Sequence, residues 1–341
     1  MRTSTAEEAG PHEDAIRFED VSLRFPGADR PAIDRCSLRI RAREFVVILG
    51  PSGCGKTTLM KMVNRLYEPT SGRILLHGTD IRSLPATKLR QQIGYVIQQT
   101  GLFPHMTVAQ NVAVVPRLLG WTRSRIVARV AELLSLVELN AEEFGDRFPA
   151  QLSGGQQQRV GVARALAGDP AVLLMDEPFG ALDAITRASL QDEIVQLQQK
   201  LHKTIVFVSH DVEEALRLAD RILLLKDGQV VQFDTPLNIL SKPANDFVRE
   251  LVGTDDTVRQ LGLVRVETAM LTDEFSGDGL AGDGISVDGH PTIPRNSSLR
   301  EALSLLLRTG ENALTVVDGD RPVGLLTLDR LRASANGKGR A

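Results

Sequence analysis

The chain has 341 residues, of which 42% are hydrophobic and 24% are charged, and its formal net charge is −3. This length predicts two domains of roughly 100–200 residues each, and without a basic excess we expect no nucleic-acid partner. Apolar runs such as AVLLM (171–175) fall far short of the roughly 18 residues of a membrane-spanning helix. The polar, acidic N-terminus differs from a signal peptide. Two cysteines are too few for a disulfide framework, which favours a reducing cytoplasm.

Residues 1–13 are predicted to be flexible, and short apolar runs then alternate with helical patterns. The runs that predict strands are EFVVILG (44–50), RILLHG (73–78), IGYVIQ (93–98), AVLLMDE (171–177), KTIVFVSH (203–210) and RILLLKDGQVVQF (221–233). Residues 186–201 place Leu190, Ile194 and Leu197 on one face of a helix. Alternating strands and helices predict an α/β fold with a largely parallel, doubly wound sheet, whose ligands bind at the carboxyl ends of its strands.

The span from about 105 to 165 has no strand pattern and is predicted to be a helical subdomain, with an apolar-striped helix over 123–139. We place this subdomain inside a first domain that covers residues 14–252. A break follows near 252–257. The first domain is therefore predicted to combine a parallel sheet with one helical insertion.

The rest of the chain predicts a second, smaller α/β domain at 253–335, with a disordered tail at 336–341. The Gly- and Asp-rich segment 275–289 is predicted to be a loop. Residues 292–333 then read as strand, helix, strand, tight turn, strand and helix. Ser298 and Glu301 form a capping box at the first of these helices, and DGD (318–320) supplies the turn.

The segment GPSGCGKT (50–57) follows the strand FVVIL and fits the pattern G-x-x-x-x-G-K-[ST]. In this pattern the backbone amides wrap around phosphates, Lys56 reaches the β- and γ-phosphate oxygens, and Thr57 ligates Mg²⁺. Cys54 is expected to be a small packed residue rather than a nucleophile. The predicted nucleotide-binding residues here are Gly50, Pro51, Ser52, Gly53, Cys54, Gly55, Lys56, Thr57 and Thr58.

Two further strand ends carry candidate catalytic groups. Asp176 ends VLLMD (172–176), where its carboxylate can hold Mg²⁺ through water. Glu177 comes next and is suited to orient or deprotonate an attacking water. His210 ends IVFVSH, near the expected γ-phosphate position. We therefore predict Lys56, Glu177 and His210 as catalytic residues.

A second anion site is predicted at LSGGQQQR (152–159), where Ser153 and two glycines open a helix. With GPSGCGKT, LSGGQQQR and VLLMDEP in this order, residues 16–250 resemble the nucleotide-binding subunits of ATP-binding cassette (ABC) transporters. The resemblance implies a P-loop NTPase fold with a RecA-like core and a helical subdomain, with ATP and Mg²⁺ as its ligands. It also implies a head-to-tail homodimer, in which the LSGGQ of one copy closes over the ATP of the other.

The resemblance assigns roles to single residues. Phe25 matches the aromatic residue that stacks on adenine, and Asp183 matches the D-loop aspartate at the dimer interface. Gln98 matches the Q-loop glutamine that senses Mg²⁺; its neighbour Gln99 is an alternative, but alignment on YVIQ favours Gln98. Glu177 then corresponds to the catalytic carboxylate and His210 to the switch histidine. The residues expected to cap the partner's nucleotide are Ser153, Gly154, Gly155 and Gln156.

The segment IGYVIQQTGLFPHMTV (93–108) narrows the resemblance to importers. In such importers this segment contacts a coupling helix of the membrane permease, and a groove around Leu102, Phe103 and Met106 fits such a helix. Packing of these side chains inside the helical subdomain is the alternative. His105 is expected to be structural.

The same segment, together with the small C-terminal unit, most resembles ATPase subunits of osmoprotectant importers for quaternary amines such as glycine betaine, carnitine or choline. These subunits act at the cytoplasmic face of the membrane, with permease subunits and an external solute-binding protein. Polar amino-acid importers are the nearest alternative. A soluble ABC-type ATPase acting on DNA or ribosomes and a nucleotide sensor that hydrolyses little are others.

The C-terminal unit resembles a single cystathionine-β-synthase (CBS) repeat. Such repeats pair, and residues 257–274 are interpreted as a degenerate remnant of a second one. Repeats that bind adenosine ligands often carry Asp three residues after a strand-end Thr, whereas here Arg330 stands three after Thr327, with Asp329 one place early. We expect a dimerising or ionic-strength-sensing role, with simple structural packing as an equal alternative.

Overall fold

The computed structural model describes residues 14–98, 101–180, 182–253, 261–271, 290–319 and 321–335. The chain divides into two compact units between Phe233 and Asp234, whereas the sequence pattern predicts the break near residue 252. The predicted flexible N-terminus, the 275–289 loop, the 336–341 tail and the alternative Q-loop residue Gln99 lie outside the described residues. None of the described helices is both long and apolar enough to cross a membrane.

The elements up to residue 234 contain the predicted nucleotide site. The strands are β1 Asp14–Leu23, β2 Ile33–Arg41, β3 Phe45–Leu49, β4 Ser71–Leu76, β5 Thr79–Asp80, β6 Ile93–Val96, β7 Val172–Asp176, β8 Thr204–Val208, β9 Arg221–Lys226 and β10 Gln229–Asp234. The helices are α1 Lys56–Val63, α2 Ala86–Arg90, α3 Val108–Val112, α4 Val114–Leu118, α5 Arg123–Leu136, α6 Ala141–Phe144, α7 Gly154–Leu166, α8 Ala184–Leu201 and α9 Val212–Leu218.

A six-stranded sheet forms the centre of the first unit, in the order β10-β9-β3-β8-β7-β6. Strand β3 is parallel to both β8 and β9, and β7 is parallel to both β6 and β8. Every residue of β3, β7 and β8 is buried, which explains their continuous apolar sequences. Three predicted site segments therefore lie together at the carboxyl ends of neighbouring strands: the P-loop after β3, Asp176–Glu177 at the end of β7 and Ser209–His210 after β8.

Two predicted strands differ from the expected arrangement. The run 73–78 belongs to a separate sheet of order β2-β1-β4-β5, in which β4 is antiparallel to β1. In β4 the buried Ile74 follows the exposed Arg73, a pattern of a sheet with one face toward water. The run 221–233 forms two strands, because Asp227 and Gly228 both adopt positive φ angles (49° and 78°) and make a turn.

The predicted helical subdomain, residues 105–165, lies wholly within the described part of the chain. It contains α3 to α7 and a 3₁₀ turn at Pro149–Gln151, with no strand. The predicted striped helix is α5, which buries Val130, Leu133 and Leu134. This subdomain ends with α7, whose first residues carry the LSGGQ pattern.

The second unit has its own core. The elements among its described residues are α10 Pro236–Ser241, α11 Asp246–Val252, a 3₁₀ turn Val266–Thr268, β11 Thr292–Pro294, α12 Leu299–Thr309, β12 Ala313–Asp318, β13 Arg321–Thr327 and α13 Leu328–Ala335. The sheet order is β11-β12-β13, and the order of elements from 292 onward matches the sequence prediction. In the described part of the proposed remnant, 261–271, Leu261 and Val266 join this core. Leu271 pairs with Leu325 of β13.

Candidate nucleotide-binding and catalytic site

The P-loop follows β3 in a conformation that requires glycine. Gly50 and Gly55 have φ angles of 155° and 108°. A Cβ atom at Gly50 would lie 2.2 Å from the carbonyl oxygen of Leu225, and one at Gly55 would lie 2.6 Å from that of Ala32. The loop therefore accepts no side chain at either position. It leads directly into α1, whose N-cap is Gly55.

Lys56 is held inside this loop. Its side chain is buried, and its ammonium donates hydrogen bonds to the carbonyl oxygens of Gly50 at 2.7 Å and of Pro51 at 3.1 Å. The loop thus keeps a positive charge where a phosphate would approach. Cys54 is buried beside it, and burial raises the pKa of its thiol, as expected of a packed residue.

A cavity of about 480 Å³ opens over the P-loop and unites the predicted catalytic groups. It is lined by Ser52, Gly53, Gly55, Lys56, Thr57, Thr58, Glu177 and His210. All three residues predicted as catalytic, from three different strand ends, line this one space.

Thr57 and Asp176 lie side by side at the edge of the sheet. The Thr57 hydroxyl donates a hydrogen bond to Oδ1 of Asp176 at 2.9 Å. Burial raises the pKa of Asp176, and the Thr57 hydrogen bond opposes that shift. Mg²⁺ prefers oxygen ligands and binds through one or two protein oxygens together with substrate phosphates and waters. The donor set therefore fits the predicted Mg²⁺ site.

Glu177 is contacted by both neighbouring strand ends. Its backbone N–H donates to the carbonyl oxygen of Val208 at 3.1 Å, and its own φ angle is 44°. Its Oε2 atom accepts a hydrogen bond from the amide of Gln98 at 3.1 Å and lies 3.4 Å from Nδ1 of His210. Gln98, predicted at the metal, thus contacts the carboxylate predicted as catalytic. Sequence reasoning missed that contact, because the two residues are far apart in the chain.

The predicted adenine-stacking residue is partly exposed. Phe25 has 37% of its surface accessible and contacts Tyr67 edge to face, with ring centroids 5.2 Å apart. Lys61 lies 5.7 Å from the Tyr67 ring centroid. Tyr67 is a second aromatic residue of this surface that the sequence did not indicate, since nothing in its local sequence distinguishes it from a loop residue.

The LSGGQ residues lie at the start of α7. The Ser153 hydroxyl accepts a hydrogen bond from the Gln156 N–H at 3.3 Å, and Oε1 of Gln156 accepts one from the Ser153 N–H at 2.9 Å. Ser153 and Gly154 are exposed, and Gly155 is buried. The residues that line the P-loop cavity come from other segments, so the structure does not bring the two predicted phosphate sites of the chain together.

Asp183 caps α8, the helix that follows β7. Its Oδ1 accepts hydrogen bonds from the N–H groups of Ile185 at 3.1 Å and Thr186 at 3.0 Å. Hydrogen bonds from Thr186 hold the pKa of this exposed carboxyl below its ordinary value. Asp183 is thus a charged N-cap on the surface, outside the lining of the P-loop cavity.

Comparison with known proteins places this geometry in a family. Residues 33–180 match the ABC transporter family model, and residues 285–336 match the CBS domain model. The choline transport ATP-binding protein OpuBA of Bacillus subtilis is 45% identical over 94% of this chain and 81% of its own length. The glycine betaine uptake system ATP-binding protein YehX of Escherichia coli is 47% identical over 94% of this chain and 100% of its own.

Solved structures agree on the fold. The ATP-binding cassette MJ0796, a dimer bound to ADP and phosphate, is 34% identical, with a TM-score of 0.58 over 65% of this chain and 98% of its own. CbiO1 of Clostridium perfringens, part of an ABC transporter complex, is 27% identical, with a TM-score of 0.64 over 74% of this chain and 95% of its own. The predicted fold class is confirmed, and the chain belongs to the ATP-binding proteins of the ABC transporter family.

Proposed function

We propose that this chain hydrolyses ATP to power a membrane importer of quaternary-amine osmoprotectants such as glycine betaine, carnitine or choline. The observation that carries the ATPase chemistry is the single cavity shared by Lys56, Glu177 and His210. The solute class is supported by the relatives, which are named for choline, glycine betaine and general osmoprotectant transport.

The P-loop binds the triphosphate of ATP. Lys56 exchanges its bonds to the Gly50 and Pro51 carbonyl groups for bonds to the β- and γ-phosphate oxygens. Thr57 and Asp176 hold Mg²⁺, which neutralises phosphate charge when it is bound. Phe25, supported by Tyr67, stacks on the adenine ring.

Glu177 orients the attacking water. Its carboxylate is held by a hydrogen bond from Gln98 and lies beside His210, and it accepts the water's proton. Lys56 and His210 stabilise the charge on the transferring phosphoryl group. Gln98 connects this carboxylate to the segment that enters the helical subdomain.

A second copy of the chain completes the site. Ser153, Gly154, Gly155 and Gln156 supply backbone N–H groups at a helix N-terminus, which favours an anion. These residues do not line the P-loop cavity of their own chain. We therefore assign them to the ATP of a head-to-tail partner, with Asp183 at the same interface. The dimeric cassette MJ0796 supports this assembly.

The permease binds beside the Q-loop, and it positions the chain at the cytoplasmic face of the membrane. Phe103 is 40% exposed, with the Arg164 guanidinium 5.7 Å from its ring centroid. The fully buried Asn111 fixes this loop: its amide oxygen accepts from the Phe103 N–H, and its amide nitrogen donates to the carbonyl groups of Phe103 and Met106. The loop therefore presents an exposed aromatic ring on a rigid base, which suits a coupling helix.

The test measures uptake of labelled solutes in cells whose chromosomal copy of the gene is deleted and which carry the wild-type or variant gene on a plasmid. We expect the wild type to restore ATP-dependent uptake of glycine betaine, carnitine or choline, and Glu177→Gln to restore none. Uptake of a polar amino acid and not of the quaternary amines would contradict the osmoprotectant assignment and favour a polar amino-acid importer.

A second experiment tests the docking loop. Phe103→Ala is expected to keep the ATP turnover of the purified chain and lose uptake. Phe148→Ala, at a similarly exposed phenylalanine (43%), serves as the matched control.

Pull-down of tagged Glu177→Gln with ATP from native membranes should recover a multi-span permease and an external solute-binding protein. Recovery of ribosomal or DNA-associated proteins alone would contradict the importer assignment.

A further inference from the structure

Glu214 of α9 is a buried carboxyl group that the proposed mechanism does not use. It is 7% exposed, on a helix where the preceding Glu213 is exposed. Its Oε1 atom accepts a hydrogen bond from the Gln191 amide at 2.9 Å, and its Oε2 atom accepts one from the Ser209 hydroxyl. Burial raises the pKa of Glu214. A buried carboxyl is costly without hydrogen bonds, and both oxygens of Glu214 have one.

Ser209 links Glu214 to the residue beside the γ-phosphate position. It is 1% exposed, and its N–H donates to the carbonyl oxygen of Ile48 at 3.1 Å. Its hydroxyl oxygen also accepts a hydrogen bond from the Asp211 N–H at 2.9 Å. These bonds fix the backbone on both sides of His210. The His210 side chain itself is 66% exposed, so its location depends on that backbone.

Gln191 fixes the other end of Glu214. This α8 residue is 6% exposed, and its amide oxygen accepts a hydrogen bond from Arg217 at 3.2 Å. Arg217 also bonds Asp192 at 2.6 Å. Because the amide oxygen of Gln191 faces Arg217, its nitrogen must face Glu214. The orientation of the Gln191 amide is therefore determined, whereas the Ser209 hydroxyl has a second acceptor in the Asp211 carbonyl oxygen at 3.4 Å.

A narrow cavity is lined both by this hydrogen-bond network and by the residues Glu177 and His210. A space of about 10 Å³ is lined by residues that include Glu177, Ser209, His210 and Glu214. That volume holds no more than about one water molecule. Loss of the Glu214 side chain would enlarge this space directly behind His210 and Glu177.

We propose that Glu214 is a positioning residue for ATP hydrolysis: through Ser209 it holds the backbone that places His210 against Glu177. This inference rests on the proposed role of His210. It predicts that Glu214 affects the chemical step and not the binding of ATP, because none of the residues that line the P-loop cavity belongs to α9.

The first test compares Glu214→Ala, Glu214→Gln and the exposed neighbour Glu213→Ala. We expect Glu214→Ala to lower kcat by about 10- to 100-fold, the cost of a small misplacement of a catalytic group, with KM for ATP unchanged. Glu214→Gln keeps the shape: its amide oxygen can accept from Gln191, and its amide nitrogen can donate to the Ser209 oxygen while the Ser209 proton turns to the Asp211 carbonyl oxygen. It should therefore restore most of kcat, and Glu213→Ala should match the wild type. An unchanged kcat for Glu214→Ala, or a Glu214→Gln variant as slow as Glu214→Ala, would overturn the proposal.

A double mutant separates this proposal from the function of His210. If Glu214 acts through His210, adding Glu214→Ala to His210→Ala lowers the single-turnover rate no further. If the two losses multiply, Glu214 acts elsewhere and the proposal fails, while the role of His210 stands. Full turnover by His210→Ala would instead refute the proposed role of His210 itself.

Ser209→Ala covers the case in which Glu214→Ala does not fold. It removes the linking hydroxyl with little change in volume, and we expect the same loss in kcat with unchanged KM. A Ser209→Ala protein with wild-type kcat would contradict the proposed link.

Discussion

Two helices of this chain, α7 in the first unit and α12 in the second, begin in the same way. Ser153 and Gln156 form a capping box at α7, and Ser298 and Glu301 form one at α12. The N–H of the third helical residue lies 3.3 Å from the serine hydroxyl in α7 and 3.2 Å in α12. The returning side-chain bonds are 2.9 and 2.8 Å. Their local geometry is equivalent, and their predicted functions are not.

The difference lies in what surrounds the cap. After the cap, α7 has the exposed Gly154, whereas α12 has the fully buried Leu299. The third residue is neutral Gln156 in α7 and acidic Glu301 in α12. A carboxylate at this position neutralises the partial positive charge of the helix N-terminus. A capping box alone therefore does not predict a phosphate site; the exposed backbone and the neutral third residue of α7 are what favour an anion there.

The largest effect is expected for Glu177→Gln, and this variant also tests the difference between the starts of α7 and α12. Loss of the general base should slow steady-state ATP turnover by about 10²- to 10⁴-fold while ATP binding persists, so an ATP-bound dimer accumulates. In that dimer the amides of Gly154 and Gly155 should become protected from hydrogen exchange, and those of Leu299 and Arg300 should not. Equal protection at both helix starts, or none at α7, would contradict the proposal that only the start of α7 contacts the partner's ATP.

Leu299→Ala tests what the second helix start is for. Truncation of a fully buried leucine costs about 2–5 kcal/mol, which faster hydrogen exchange in β12 and β13 should reveal. ATP turnover should stay at the wild-type level. The control is Gly154→Ala, where an added Cβ would meet the Leu182 side chain at an ordinary 3.6 Å, so we expect no loss in stability.

Gln156→Glu gives α7 the charge pattern of α12. The cap should persist, because glutamate makes the same returning bond. Facing the partner's triphosphate, a like charge costs several kcal/mol, so ATP-dependent dimerisation and turnover should fall by about 100-fold. Gel filtration with ATP and steady-state kinetics measure both. Glu301→Gln is the matched control, and turnover close to wild type in Gln156→Glu would show that charge here is unimportant.

The smallest effect is expected for Ser298→Ala. Loss of this cap should destabilise the second unit by about 1 kcal/mol and leave turnover unchanged. Ser153→Ala removes the equivalent cap, and we expect a similar loss of stability together with slower turnover. Urea unfolding and ATPase assays on both variants check this, and equal turnover in the two would contradict a special role for Ser153.

Sequence alone predicts the parts of this protein that repeat a local rule. The glycine pattern of 50–57, the buried strand before Asp176 and the Ser298 cap each depend on neighbours in the chain. The sequence predicts a strand at residues 73–78 but not the sheet to which it belongs, because a short apolar run does not specify its partner strand.

The remaining site residues depend on tertiary contacts. The Gln98–Glu177 bond, the Phe25–Tyr67 pair and the burial of Glu214 next to an exposed Glu213 all join segments that are distant in sequence. The sequence pattern does not distinguish the two adjacent glutamates, because the seven-residue helix α9 is too short to define an apolar stripe. The hydrogen bond from Gln191 of α8 is what distinguishes Glu214 from Glu213.

Glu177 combines an unfavourable backbone angle with the carboxylate predicted as catalytic. A residue other than glycine in a left-handed conformation costs of order 1–3 kcal/mol, and Glu177 adopts it at 44°, tied to Val208. A glycine would adopt this angle freely but would supply no carboxylate. The segment is therefore a place where the demands of folding and of chemistry conflict. Searches for stabilising substitutions in this protein should expect to find them here, at the expense of turnover.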